Sequence, residues 1–151
     1  MQLVVLATGS CRDKNILALE ANYHERMLAG WPVSVRELRD NPNPDTEASH
    51  QLAAWQGLVS PKVLVALDEK GQSLTSPQLA KQLQEWANRG TRTIAFLIGG
   101  DSGLSERTRH EATLTLSLSA LTLPHQLVRV FLAEQLYRAG TIMAGHPYHR
   151  A

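Results

Sequence analysis

The sequence predicts an α/β fold in which a parallel-rich sheet is covered by helices on both faces. Short apolar runs alternate with helical patterns along the whole chain, and this alternation is typical of parallel sheets. The runs are almost continuously apolar, as expected of strands that are buried on both faces. The 151 residues contain no repeat, linker or low-complexity stretch, so we predict one domain over 1–151.

Five apolar runs are predicted as strands, and three of the segments that follow them are candidate ligand loops. The strands are LVVLA (3–7), VSVREL (33–38), VLVAL (63–67), TIAFLI (93–98) and TLSLSAL (115–121). In parallel sheets, ligands bind outside the carboxyl ends of the strands. The segments expected at that edge are LDEKG (67–71), IGGDSGLS (98–105) and ALTLPH (120–125).

Helical patterns separate the strands, and we predict helices over 15–28, 45–58, 76–90 and 126–143. The third has clear end signals, with Ser76 as N-cap, Pro77 at the first helical position and Gly90 as C-cap. The last helix carries apolar residues around more than one face, which is more than one sheet contact needs. We therefore expect a homodimer, because the apolar residues of this helix, Val128, Phe131, Leu132, Leu136 and Ile142, lie around more than one face.

Composition excludes several classes of protein. The single cysteine, Cys11, cannot form an internal disulfide, which fits a reducing cytoplasm. No window approaches the roughly 18 apolar residues of a membrane span, and the first ten residues lack the pattern of a signal peptide. The histidines have no compact metal-ligand spacing. We expect a cytoplasmic protein with no membrane partner and no metal.

The two halves of the chain differ in charge. Residues 1–75 contain 7 Lys and Arg against 9 Asp and Glu, whereas residues 76–151 contain 8 against 5, and 7 of those 8 are Arg. The second half could face an anion, although a solvated basic surface explains the imbalance equally well.

The glycine-rich segment after the fourth strand offers several readings. Gly99 and Gly100 allow close approach of a ligand to the backbone, but GGDSG matches neither of the common phosphate-binding motifs, and no GxSxG elbow is present. Asp101 and Glu106 could form an acid–base pair. Glu106 is equally explained as the first turn of a helix capped by Ser105.

The elbow before the last helix is a second candidate. Pro124 fixes its own φ and disfavours helix at Leu123, so the preceding residues stay extended. A loop held in this way presents backbone N–H and C=O groups that suit the edge of an adenine. A plain strand-to-helix turn is the alternative, and His125 could be a base or a cap of the helix.

The end of the chain, GHPYHRA (145–151), is a third candidate. It gathers His146, Tyr148, His149 and Arg150 within five residues. Frayed termini are common, yet these side chains can stack on bases, exchange protons and pair with phosphates. We therefore expect the tail to have a function.

Three segments carry a resemblance to a known family. FLIGGDSGLS (96–105), LSLSALTLPHQLVRVFLAEQLYRA (116–139) and HPYHR (146–150) resemble the ribosomal RNA large subunit methyltransferase H family, of the SPOUT superfamily. The match is dense from about Val63 to Arg150. Residues 1–62 follow the family only loosely, in LVVLATG (3–9) and in the order of elements.

The resemblance implies a SPOUT-type knotted methyltransferase fold, with a carboxyl-terminal deep trefoil knot over about 93–151. It also implies that S-adenosylmethionine binds among the knot loops. Carried over to this sequence, the cofactor site is Leu67, Gly99, Gly100, Leu118, Ser119, Ala120, Leu121, Thr122 and Leu123.

The resemblance further implies methylation of N3 of a pseudouridine in 23S ribosomal RNA on the assembled ribosome, by a homodimer in which the tail of one subunit completes the site of the other. From their chemistry, we expect His149 to accept the proton or orient the substrate, Tyr148 to contact the base, and Arg150 to contact a phosphate or carbonyl. His146 and Arg129 are further candidate substrate-binding residues. Arg129 and Arg138 could instead form surface or dimer salt bridges.

Two other functions stay open at this point. The chain could be a SPOUT methyltransferase that acts on another RNA, or a catalytically silent protein that binds the ribosome. A small-molecule α/β enzyme has no nucleophile or phosphate motif to support it.

Overall fold

The computed structural model describes residues 1–149 and contains five strands and five helices in alternating order. The strands are β1 (Gln2–Thr8), β2 (Val33–Leu38), β3 (Lys62–Ser73), β4 (Thr93–Ile98) and β5 (Leu114–Ser117). The helices are α1 (Lys14–Glu25), α2 (Pro44–Gln56), α3 (Ser76–Asn88), α4 (Glu106–Glu111) and α5 (His125–Met143).

The five strands form one parallel sheet in the order β2-β1-β4-β3-β5. β4 lies at the centre, where Ile94 pairs with Leu3 of β1 on one side and with Val63 of β3 on the other. Every residue of β4 is buried, which explains its unbroken apolar run. The predicted parallel sheet is confirmed.

Helices cover both faces of the sheet, as predicted. Successive side chains of a strand point to opposite faces, so β4 contributes Phe96 to one apolar core and Leu97 to the other. The Phe96 core includes α3 and α5, and α1 packs against α5. The Leu97 core includes α2, which also contacts α4.

The start of α3 differs from the prediction by one residue. The N-cap is Thr75 rather than Ser76, because Thr75 and Gln78 form a reciprocal capping box. The hydroxyl of Ser76 instead donates to Gln135 of α5 at 2.7 Å. Gly90 follows the C-cap with a φ of 85°, the left-handed conformation that a glycine adopts most easily.

Two strand ends also differ from the prediction, and both differences shape the carboxyl edge of the sheet. β5 ends at Ser117 instead of position 121. β3 continues to Ser73, although its pairing with β5 jumps from Leu67 to Gln72. A Cβ on Gly71 would lie 2.7 Å from the carbonyl oxygen of Thr115, so only glycine lets β3 return to β5 after this bulge.

No helix within residues 1–149 combines the length and the apolar character needed to cross a membrane.

Candidate active site

A cleft with a volume of about 410 Å³ lies at the carboxyl edge of β3, β4 and β5. Three segments that follow or interrupt these strands form its walls, and the first turn of α5 closes one side. The lining residues are Leu67, Asp68, Glu69, Lys70, Ile98, Gly99, Gly100, Asp101, Ser102, Gly103, Leu104, Arg109, Leu116, Leu118, Ser119, Leu121, Thr122, Leu123, His125 and Val128.

The first wall is the loop between β5 and α5. Its turn is held by side chains, because the hydroxyl of Ser117 donates to the carbonyl of Ser119 at 2.9 Å and the Leu121 N–H donates to the hydroxyl of Ser119 at 3.0 Å. Residues 119–123 make no backbone-to-backbone hydrogen bond with the described chain. Their remaining N–H and C=O groups are therefore available to a ligand in the cleft.

The second wall is a glycine turn after β4. The Gly103 N–H donates to the Gly100 carbonyl at 3.0 Å, and Gly103 has a φ of 74°. A Cβ on Gly99 would lie 3.0 Å from the backbone of Gly103 and 3.2 Å from the Leu104 side chain. The turn thus packs too closely on Gly99 to accept a side chain without a shift.

The third wall is the bulge of β3. Asp68 pairs with Arg109 of α4 at 3.0 Å, and Arg109 also donates to the Leu104 carbonyl at 2.7 Å. Glu69 accepts a hydrogen bond of 2.8 Å from the hydroxyl of Thr122. These contacts tie the bulge to both other walls.

The start of α5 is tied to the glycine turn by a contact between a histidine and a carboxylate. His125 Nδ1 lies 3.1 Å from a carboxylate oxygen of Asp101. The helix begins after Pro124 without a side-chain cap, so His125 does not cap the helix and reaches across the cleft instead. Asp101 thus partners His125 rather than Glu106.

The cleft brings together eight of the nine residues predicted for the cofactor site. The exception is Ala120, which lies in the same loop but does not line the cavity. The residues that sequence reasoning did not assign to the site include Asp68, Glu69 and Lys70, although they belong to the LDEKG segment that was expected at this edge. Arg109 and Val128 carried no such signal.

The residues present fit S-adenosylmethionine. The volume suits a small-molecule ligand, and the loop offers free backbone groups for an adenine edge. The carboxylates of Asp68, Glu69 and Asp101 line the cleft and can meet the positively charged sulfonium and amino groups of the cofactor. We find no group of three or more potential metal ligands among the described residues.

The tail turns back onto α5 instead of continuing away from it. Its turn is a Schellman motif, in which the His146 N–H donates to the Thr141 carbonyl at 2.8 Å and the Gly145 N–H donates to the Ile142 carbonyl at 3.2 Å. Gly145 has the required positive φ of 69°. His146 Nδ1 accepts from the Tyr148 N–H at 3.2 Å, so this nitrogen shapes the tail locally.

Tyr148 docks on the second half of α5. Its hydroxyl donates to Glu134 Oε1 at 3.1 Å, and its ring meets that of Tyr137 edge-on with 4.6 Å between the centroids. Burial, followed by the nearby Glu134 carboxylate, raises the pKa of Tyr148 to about 12. Tyr148 is therefore a neutral hydrogen-bond donor near pH 7, not a base.

The described tail and the cleft of the same chain do not meet. Glu134, which accepts from the Tyr148 hydroxyl, is nine residues after His125, or about 14 Å along the helix axis. No tail residue up to His149 lines the cleft. His149 Nδ1 is buried and has no hydrogen-bond partner among residues 1–149. Arg150 lies outside the described residues.

Arg129 is not at a surface that could meet RNA. Its side chain is 5% exposed and donates twice to Glu20 of α1 at 2.9 Å, with Glu37 at 3.4 Å. Hydrogen bonding to Glu20 raises the pKa of Arg129 above its usual range. We therefore correct the expectation of a substrate-binding Arg129. Arg138 pairs with Glu134 of its own helix.

Comparisons with known proteins agree with this architecture. A family model described as a predicted SPOUT methyltransferase matches residues 1–149. The ribosomal RNA large subunit methyltransferase H proteins of Bradyrhizobium diazoefficiens, Rhodospirillum centenum and Bordetella pertussis are 41%, 42% and 40% identical to this chain. All three alignments cover the full length of both chains.

Among solved structures, the chain is similar to the SpoU methyltransferase AviRb of Streptomyces viridochromogenes in complex with AdoMet. The TM-score is 0.48 at 16% identity, over 96% of this chain and 61% of that one. The family match and the full-length relatives carry the assignment. The chain is an S-adenosylmethionine-dependent methyltransferase and belongs to the ribosomal RNA large subunit methyltransferase H family of SPOUT methyltransferases.

Proposed function

We propose that this enzyme transfers a methyl group from S-adenosylmethionine to N3 of a pseudouridine in 23S ribosomal RNA, within the assembled ribosome. The family makes it an RNA methyltransferase, and the names of its relatives make ribosomal RNA the substrate. The nucleotide, the atom and the ribosomal context come from the resemblance of the three motifs and are our proposal.

One observation carries the assignment of the site: the cleft gathers segments that are far apart in sequence, and eight of its residues are those that the family motifs predict for the cofactor. When bound, S-adenosylmethionine supplies an activated methyl group on a sulfonium centre. We propose that the loop Leu118–Leu123 and the glycines Gly99 and Gly100 hold it, mainly through backbone groups.

The chain's own residues then have to orient the base and remove its N3 proton, since such a transfer depends on positioning and on proton removal. We propose His149 as the proton acceptor from the chemistry of its imidazole; its Nδ1 is buried without a hydrogen-bond partner among the described residues, so the substrate would have to displace what covers it. Tyr148 stays neutral and contacts the base or orients His149. Arg150 is proposed to contact a phosphate or carbonyl, and His146 to hold the tail turn beside the substrate.

A homodimer would bring tail and cleft together. The cleft lies at the amino end of α5, whereas the tail packs on the helix from its middle onwards, so a partner packed antiparallel along α5 would place its tail at this cleft. Exposed apolar side chains on and before the helix, namely Leu121, Leu127 and Phe131, are the surface that such a partner would cover. We propose this arrangement, with a carboxyl-terminal trefoil knot over about 93–151, in a cytoplasmic enzyme.

A second candidate is methylation of a different RNA by the same cleft. The small net charge of +1 argues against it, because it provides little general attraction to naked RNA and suits a substrate that is shaped by the whole ribosome.

The test incubates the protein with radiolabelled S-adenosylmethionine and, separately, with intact ribosomes, isolated large subunits and naked ribosomal RNA from cells that lack the modification. Mass spectrometry then locates the label. We expect label on one pseudouridine, with intact ribosomes only. Label on another RNA would favour the second candidate.

A further inference from the structure

We propose that Glu134 is a positioning residue for methyl transfer: its carboxylate anchors Tyr148 on α5 and thereby fixes the orientation of the tail. This inference rests on the proposed function, in which the tail completes the substrate site. Glu134 lies in the middle of α5 and does not line the cleft of its own chain.

Glu134 is the centre of a hydrogen-bond cluster. Its Oε1 accepts from the Tyr148 hydroxyl at 3.1 Å and from Nε and Nη2 of Arg138 at 2.9 and 2.6 Å. Its Oε2 accepts from Gln135 Nε2 at 2.7 Å. The Glu134 side chain is only 19% exposed. These hydrogen bonds are therefore partly shielded from solvent, which makes them stronger than hydrogen bonds at a fully exposed site.

Aromatic and cationic groups complete the anchor. The Tyr148 ring packs edge-on against Tyr137 and lies under the guanidinium group of Arg138. The opposite side of the cluster is formed by α1, where Arg26 lies 4.4 Å from the Tyr137 ring centroid and Tyr23 5.9 Å from it, centroid to centroid. Tyr148 thus packs in a site built by α5 together with Tyr23 of α1 and Arg26, which directly follows α1.

The segment between the Schellman turn and Tyr148 is short, so anchoring Tyr148 also fixes the position of the neighbouring His149. Only two residues, His146 and Pro147, separate Tyr148 from Gly145, where the Schellman turn fixes the direction of the chain. His149 is the next residue, so its position follows directly from that of Tyr148. Loss of the anchor would leave the proposed proton acceptor on a loose segment, and loose positioning alone costs roughly 10–100-fold in rate.

The test compares Glu134→Gln with Glu85→Gln, a matched control. Glu85 is also a helical glutamate with a basic partner four residues away, Lys81 at 3.9 Å, but it lies on α3. In Glu134→Gln we expect kcat with ribosomes to fall roughly 10–100-fold, while the affinity for S-adenosylmethionine stays within about twofold. Glu134→Asp should recover part of the loss. Glu85→Gln should behave as wild type.

A spectroscopic readout tests the anchor itself without any RNA. Burial and Glu134 raise the pKa of Tyr148 to about 12. The docked neutral tyrosine therefore stabilises the fold below pH 10, and this contribution is lost as the pH rises towards 12. The tyrosinate absorbance of wild type minus that of Tyr148→Phe should show this late titration. Glu134→Gln should move it towards the ordinary tyrosine value.

The outcomes separate the anchor from the proposed function. If the wild type methylates no RNA but Glu134→Gln shifts the Tyr148 titration, the proposed function fails and the anchor stands, without a catalytic role. If the wild type is active and Glu134→Gln keeps full kcat, the positioning role is overturned. If Glu134→Gln does not fold, Glu134→Asp and Arg138→Gln take its place, and full kcat in both would overturn the proposal.

Discussion

The two ends of α5 form two different kinds of site. At its amino end, the cleft is shaped by backbone: a loop with free N–H and C=O groups, a glycine turn and a strand bulge. From the middle of the helix towards its carboxyl end, the tail is held by side chains, above all the Glu134 carboxylate and the Tyr137 ring. The first site depends on where the chain runs, and the second depends on which side chains it carries.

This difference predicts different responses to mutation. Side chains of the cleft loop can change without altering its backbone conformation. Cofactor binding should therefore respond mainly to substitution of the closely packed glycines, such as Gly71 and Gly99. The tail site should be sensitive at single side chains. The buried Arg129–Glu20 ion pair holds α5 against α1, so it supports both the cleft and the tail site.

Arg129→Met tests the contribution of the Arg129–Glu20 ion pair and has the largest expected effect on stability. It leaves the Glu20 carboxylate buried and unpaired, so we expect a loss of about 3–5 kcal/mol in the free energy of unfolding, measured by denaturant titration. Lys81→Met is the control, because the exposed Lys81–Glu85 pair contributes about 0–1 kcal/mol. An Arg129→Met protein as stable as this control would show that the Arg129–Glu20 pair does not hold α5 against α1.

Gly71→Ala tests whether the bulge of β3 shapes the cleft. The new Cβ would lie 2.7 Å from the Thr115 carbonyl oxygen, and overpacking of this kind costs about 1–3 kcal/mol. We expect lower stability together with weaker binding of S-adenosylmethionine in calorimetry. In Gly57→Ala, the nearest atoms are 3.7 Å away, and both quantities should stay near wild type. Unchanged cofactor binding in Gly71→Ala would separate the bulge from the site.

Gly99→Ala and Gly100→Ala form a matched pair within the glycine turn. A Cβ on Gly99 meets backbone at 3.0 Å, whereas the nearest atom to one on Gly100 is a Thr8 methyl carbon at 3.4 Å. We expect roughly tenfold weaker cofactor binding for Gly99→Ala, since a strain of about 1.4 kcal/mol has that effect, and a much smaller change for Gly100→Ala. Equal effects would show that the packing of Gly99 does not set the turn.

Thr122→Val should give the smallest effect and the clearest contrast with the tail. It removes one exposed hydrogen bond to Glu69, which is worth about 0.5–1.5 kcal/mol, and it leaves the loop backbone in place. We expect at most a several-fold loss of cofactor affinity by calorimetry. A complete loss of binding would mean that side chains, not backbone, determine the cleft.

The sequence predicted most of the fold because its signals are local. Apolar runs located all five strands, and the Pro77 and Gly90 signals located α3 within a residue at either end. The strand bulge was missed because Asp68, Glu69 and Lys70 are polar and resemble a loop. They belong to β3 because its pairing with β5 resumes after them, at Gln72 and Ser73, and this pairing is a long-range contact.

The cleft could be located from the sequence because its loops directly follow strands and carry the motifs of a family. The Arg129–Glu20 pair could not, since 109 residues separate its partners and an arginine on a helix carries no local sign of burial. Likewise, nothing in GHPYHRA indicates that Tyr148 folds back onto Glu134. That contact depends on the Schellman turn at Gly145 and on the packing of α1 beside α5.

The most direct test of the central claim, that the tail of one subunit serves the cleft of another, is complementation between two inactive variants. Ser119→Trp blocks the cleft, and Tyr148→Phe combined with His149→Ala disables the tail. Each variant alone should fail to methylate ribosomes, while the co-expressed pair should regain activity, because mixed dimers contain one intact cleft facing one intact tail. If the co-expressed pair stays as inactive as the separate variants, the site is not shared between subunits and the proposed arrangement is wrong.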